Sequence, residues 1–175
     1  MEQIIIGFST PKKWKPFAKL IMWGYGIPYD HVYIKFHSTN LDRDIIYQAS
    51  KTMVNFMSPV LFQEENSVFR EFKVDMTPEN RKAMLQWAMD NAGRAYGIKE
   101  ALGMAIVRIA SLLGKKIKNP FGDGGATYVC SELAAYVLKQ FEAAVFTTDL
   151  DDMTPLDVYN YMESLNKTTP QVAAS

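Results

Sequence analysis

Cysteine and histidine are scarce in this chain, and that scarcity excludes several kinds of chemistry. One cysteine, Cys130, stands in 175 residues, so no intrachain disulfide framework is available. Two histidines, His31 and His37, bring the possible soft ligands to three, below the four that an all-Cys/His structural zinc site needs. We therefore expect no metal and no cofactor. An excess of either charge is also missing: nineteen Lys and Arg balance nineteen Asp and Glu, which argues against a nucleic-acid partner. Long apolar runs are absent too. The greasiest stretch, Ile98 to Leu113, is interrupted by Lys99, Glu100 and Arg108 and falls short of a transmembrane span. The opening Met1-Glu2-Gln3-Ile4-Ile5-Ile6 has neither the basic start nor the apolar length of a secretory signal. A cytoplasmic or virion-associated protein is the expectation. No repeat, heptad run or low-complexity tract is present.

What the chain does contain is a globular composition, with 48% hydrophobic residues, enough for a full core in one domain. We expect a single domain over residues 1–165 and a flexible polar tail over 166–175. Gln3 to Phe8 reads as a buried strand. Ser9-Thr10-Pro11 has the form of a helix start, with the helix continuing to about Trp23, Pro16 kinking it, and Phe17, Leu20, Ile21 and Trp23 forming its apolar stripe. Tyr29 to His37 alternates as a strand, with His31, Tyr33, Lys35 and His37 on one face. Asp44 to Ser50 completes a hairpin, and Met53 to Met57 is a third short strand. Residues 58–65 read as a short helix or loop, and Ser67 to Val74 as another strand. Helices are expected from Thr77 to Asn91, Lys99 to Leu113, Thr127 to Phe141, and from Thr154-Pro155 to Leu165. Strands before residue 75 and helices after it indicate an α+β protein, a small antiparallel sheet packed on helices.

Cys130 lies near the start of one of these helices, behind a glycine-rich loop (Gly122, Gly124, Gly125). A helix N-terminus favours a thiolate, but a lone cysteine is also a common small core residue. The nucleophilic alternative requires a base. His31 and His37 are six residues apart on one strand, about 20 Å, so they cannot both reach the sulfur. His37, beside a polar loop, reads as solvated, which leaves His31. Across the hairpin the residues opposite His31 fall near Gln48 and Ala49, and Gln48 is the polar one. Its amide oxygen can hold an imidazole in one tautomer without adding charge. Glu132 reads as a helix N-terminal carboxylate. Lys115, Lys116 and Lys118 read as a solvated loop or as a contact for an acidic substrate or phospholipid headgroup.

The order of these segments resembles the circularly permuted NlpC-like branch of the papain-like fold. That branch holds bacterial and phage cysteine peptidase-like proteins and the lecithin:retinol acyltransferase group. Five segments carry the resemblance: Ile5–Ser9 followed by Tyr29-Asp30-His31-Val32, Ile46–Ser50, Gly93-Arg94-Ala95-Tyr96, Tyr128-Val129-Cys130-Ser131-Glu132, and Met153-Thr154-Pro155-Leu156-Asp157. It implies a circularly permuted papain-like fold, Cys130 as nucleophile, His31 as base, and Gln48 as the orienting residue where the family often has glutamate, with Asp30 or His37 as the alternative third partner. It also implies oxyanion or substrate contacts at Tyr96 and Ser131, and a bacterial or phage origin. The implied activity is a thiol hydrolase, a cysteine peptidase or amidase acting on cell-wall peptide. A thioesterase or acyltransferase using a lipid acyl group and a non-catalytic virion protein are the alternatives. As a catalytic thiol, Cys130 is expected to react quickly with iodoacetamide near neutral pH.

Overall fold

The computed structural model describes residues 2–13, 15–50, 52–115, 117–121 and 127–168. Its centre is a five-stranded antiparallel sheet built from β1 (Glu2–Pro11), β2 (His31–Ser38), β3 (Arg43–Ser50), β4 (Met53–Met57) and β5 (Asn66–Met76), in the order β4-β3-β2-β1-β5. Six α-helices accompany it among the described residues: α1 (Pro16–Tyr25), α2 (Pro59–Glu65), α3 (Pro78–Asn91), α4 (Ile98–Leu112), α5 (Cys130–Glu142) and α6 (Pro155–Thr168). The chain is thus α+β with a small antiparallel sheet.

Alternation along the strands sorts the two faces. Ile4, Ile6 and Phe8 of β1, with Val32, Ile34 and Phe36 of β2, join Leu133, Ala134 and Val137 of α5 in the main core. Helices α3 and α6 complete that layer through Met84 and Val158. The opposite face is closed more sparingly by α2, whose Phe62 packs on Tyr33 and Ile46.

The first helix begins later than its sequence indicates. Ser9, Thr10 and Pro11 do not cap a helix; they continue β1, paired to Val68, Ser67 and Asn66 of β5 past a register shift at Phe8/Ser9. Two partner strands for β1 outweigh a local capping preference, which is worth only about 1 kcal/mol. Pro16 opens α1 at its first turn, where a missing N–H costs nothing, so it introduces no kink. Gly26, at φ 66°, closes the helix in the left-handed region. The expected apolar stripe of α1 divides: Ala18 is buried, but Leu20 and Trp23 are 37% and 73% exposed. The side chain of Phe17 lies outside the described residues, as do Gly122, Gly124, Gly125 and residues 169–175 of the tail. Asn166 continues α6.

Candidate functional site

Cys130 is the first residue of α5, three positions later than the sequence places the helix start. The delay has a local cause. Tyr128 forms a parallel bridge with Tyr96, and Gly97 N–H donates to the Tyr128 carbonyl at 3.0 Å, so the approach to the helix stays extended. Val129 has no side-chain acceptor to offer, but Glu132 accepts from its N–H at 3.4 Å and so caps the helix from inside. Glu132 is therefore structural. The Ser131 hydroxyl is fully buried and donates to the Met153 carbonyl at 2.6 Å, tying α5 to the segment before α6. That bond commits the hydroxyl, so what Ser131 offers the sulfur is its backbone N–H.

His31 begins β2, opposite Ser9 of β1. Its Nε2 lies 2.7 Å from Gln48 Oε1. Ile34 faces Tyr47, and continuing that ladder sets Gln48 level with Tyr33 and Ser50 level with His31, one residue beyond Ala49 and two beyond Gln48. A shift of two preserves the face, and Gln48 reaches His31 on the diagonal. The polarity of the network follows from its far end. Asn55 Nδ2 donates to the Met53 carbonyl at 3.2 Å, which turns Asn55 Oδ1 toward Gln48 Nε2 at 3.5 Å. Gln48 then presents its oxygen to the ring, Nε2 carries the hydrogen, and Nδ1 keeps its lone pair. Asn55 pairs directly with Gln48 across β3 and β4. The alternation of Met53 to Met57 would have pointed to it.

Burial shapes the titration of this pair. Desolvation pulls His31 down to about 4, against the Gln48 hydrogen bond, while the Lys15 charge pulls the same way as burial. Desolvation pushes the Cys130 thiol up to about 12, and the Asp30 charge adds to it; the N–H groups of Val32, Ser131 and Cys130 oppose the rise. Near neutral pH both groups are uncharged. Cys130 is only 6% exposed, and its Sγ is 3.9 Å from the Asp30 carbonyl. The sulfur thus rests against the backbone on both sides of His31, between Asp30 and Val32. No hydrogen bond joins it to the imidazole: the structure brings His31 and Gln48 together, and the thiol beside them.

A cleft of about 190 Å³ opens over this region, lined by Asp30, His31, Gln48, Tyr96 and Lys15, among others. Burial raises the Tyr96 hydroxyl far above its usual value, and the Cys130, Asp30 and Glu100 charges add to the rise, so Tyr96 stays a neutral donor. Asp30, the alternative third partner, lines the same cleft. Its Oδ1 is buried without a partner, and desolvation lifts its carboxyl to about 6 despite Lys15, its own N–H and the Thr10 hydroxyl. His37 stands at the other end of β2, half-exposed, with Asp44 at 3.1 Å and Asp42 at 3.6 Å. Among the described residues no cluster of three or more His, Cys, Asp or Glu could hold a metal ion. No protein-family model matches the chain, and no curated protein matches it.

Proposed function

We propose that the chain is a cysteine hydrolase of a circularly permuted papain-like fold, cleaving an amide through an acyl-enzyme on Cys130. The observation that carries this reading is the His31–Gln48 bond of 2.7 Å, which leaves Nδ1 as the acceptor nitrogen of a cleft-lining histidine whose backbone neighbours, Asp30 and Val32, hold the single thiol. Attack requires Cys130 to turn from its contact with the Asp30 carbonyl toward Nδ1, while His31 keeps its bond to Gln48. The thiol proton passes to Nδ1 as sulfur attacks the carbonyl carbon, so the base acts during attack rather than beforehand. The N–H groups of Cys130 and Ser131, with the Tyr96 hydroxyl, support the oxyanion. The C–N bond then breaks, His31 returns its proton to the leaving amine, and water, deprotonated by His31, hydrolyses the thioester. Cell-wall peptide is the substrate class this reading favours. A second reading, acyl transfer from a lipid, gains from Ile21, which belongs both to the cleft and to the apolar groove between α1 and α4.

The neutral pair changes one expectation: with its thiol pushed up to about 12, Cys130 is expected to alkylate slowly near neutrality rather than quickly. The test is the rate of Cys130 acylation by p-nitrophenyl acetate against pH, read by mass spectrometry. A base at about 4 predicts a rate that levels off above pH ~5, well below the range where the thiol itself ionises, and that His31→Gln abolishes. A rate that climbs tenfold per pH unit throughout, unchanged by His31→Gln, would mean an inert core thiol.

A further inference from the structure

The chain is neutral overall, yet two segments carry most of its positive imbalance. Residues 12–25 and 98–118 hold nine basic residues and one acidic one, Glu100, which is buried. The structure packs these segments together, with Arg108 of α4 donating to the Gly24 carbonyl and lying 5.1 Å over the Tyr25 ring. Lys12, Lys13, Lys15 and Lys19 surround one surface depression of about 170 Å³ with no carboxylate in its lining. Lys12, Lys13 and Lys19 form no ion pair with a described residue.

Beside this basic cluster the two helices expose their greasiest side. Ile98, Leu102, Ile106, Ile109 and Leu113 recur at spacings of three and four, so they share one stripe of α4. All five are exposed, from 37% at Ile106 to 72% at Leu113. A groove between α1 and α4 joins the stripe to Leu20 and to Trp23, the most exposed tryptophan position described. Scattered apolar residues on a surface need no explanation, but a contiguous stripe with an indole at its edge and unpaired lysines at its rim does. No described helix is long and apolar enough to cross a bilayer.

We propose that the α1–α4 face docks on the surface of an anionic phospholipid bilayer. The Ile98–Leu113 stripe and Trp23 enter the interface, and Lys12, Lys13 and Lys19 meet the headgroup phosphates. Apolar burial and charge attraction act together in such in-plane binding, and a tryptophan is favoured at the depth where headgroups meet chains. The charge complementarity selects this occupant over a second copy of the chain, whose matching face would set lysine against lysine. Docking places the cleft at the edge of the membrane contact, because Lys15 lines both the cleft and the basic depression. The inference stands apart from the chemistry of Cys130.

Flotation of the full chain with phosphatidylglycerol/phosphatidylcholine vesicles, and with pure phosphatidylcholine, tests it. Binding should be strong to the first and weak to the second, and should fall with added salt. Each lysine near such a surface contributes on the order of fivefold, so Lys12→Ser/Lys13→Ser/Lys19→Ser should lose roughly a hundredfold in partitioning. Ile109→Glu/Leu113→Glu should abolish binding, and both variants, altered only at exposed positions, should melt like the wild type. Trp23 emission should shift to the blue with anionic vesicles, and Trp23→Phe should lose that shift. Absence of binding to anionic vesicles overturns the proposal. So does binding that survives both sets of substitutions. Vesicle-free self-association removed by Leu113→Glu would assign the face to a second copy and overturn it as well.

Discussion

An imidazole bonded to a carboxamide gains an orientation, whereas one bonded to a carboxylate gains an orientation and a counter-charge. At His31 that difference sets the resting state. Gln48 fixes which nitrogen carries the hydrogen but does little against burial, so the ring stays neutral down to about pH 4. Replacing Gln48 by Glu keeps the acceptor and adds the charge. The His31 midpoint, followed by NMR of the ring nitrogens, should rise by about one to three pH units. An unmoved midpoint would show that the acceptor at 2.7 Å does not persist in solution.

Asp30, one residue earlier, works in the opposite sense. Its folded pKa of about 6 lies above its ordinary 3.8, so between those values the native state holds the extra proton and stability falls as pH rises. His31, at about 4 against an ordinary 6.5, is deprotonated first in the native state, so its contribution rises with pH through the same interval. The two slopes oppose each other between about pH 4 and 6. Asp30→Asn removes the falling slope. Relative to wild type, the variant's urea midpoint should gain steadily from about pH 4 to 6 and then level off. A constant difference across that range would show that Asp30 titrates normally.

At the scale of the elements, a glycine decides how three strands share the sheet. Tyr33 of β2, Gly7 of β1 and Glu71 of β5 lie in one row. The Tyr33 ring crosses the glycine to donate to Glu71 Oε1 at 2.6 Å. A Cβ at position 7 would sit 2.1 Å from Tyr33 Cζ, so the ring must move. Gly7→Ala should lose about 1–3 kcal/mol in urea denaturation, the range of core overpacking. Tyr33→Ala in the same background should recover part of the loss through space, a non-additivity that a double-mutant cycle reads directly. The same scale explains Cys130. Its place at the first turn of α5 comes from the Tyr96–Tyr128 bridge and the Ser131–Met153 bond, which fix where the helix can begin.

For the whole molecule, the main core draws on all five strands of the sheet and on α3, α5 and α6. Residues as distant as Ile4 and Met162 belong to it. Elements that bury their apolar faces only against one another are expected to unfold together. Urea unfolding should give one transition, coincident by far-ultraviolet and near-ultraviolet circular dichroism. A separate early transition confined to α1 and α4, which pack on each other at the edge of this core, would instead mark them as an independent unit.

Periodicity and punctuation in the sequence determined most of the elements. Strands β2 to β5 follow from alternation, and α3 and α6 from a cap followed by proline, because these signals are local and nothing in the fold competes with them. The sequence also narrowed the proposed base to His31, since there are just two histidines and one strand separates them. Tertiary structure decided the rest. Ser9 to Pro11 became strand because β5 offered partners that a cap could not match. The register that lets Gln48 reach His31 on the diagonal, and the Asn55 that orients it, depend on hairpin geometry that side-chain identity leaves open by two residues. The charge state of the site is the furthest from the sequence. A cysteine at a helix N-terminus reads as an activated thiol, but desolvation at 6% exposure outweighs the N–H groups around the sulfur and keeps it protonated.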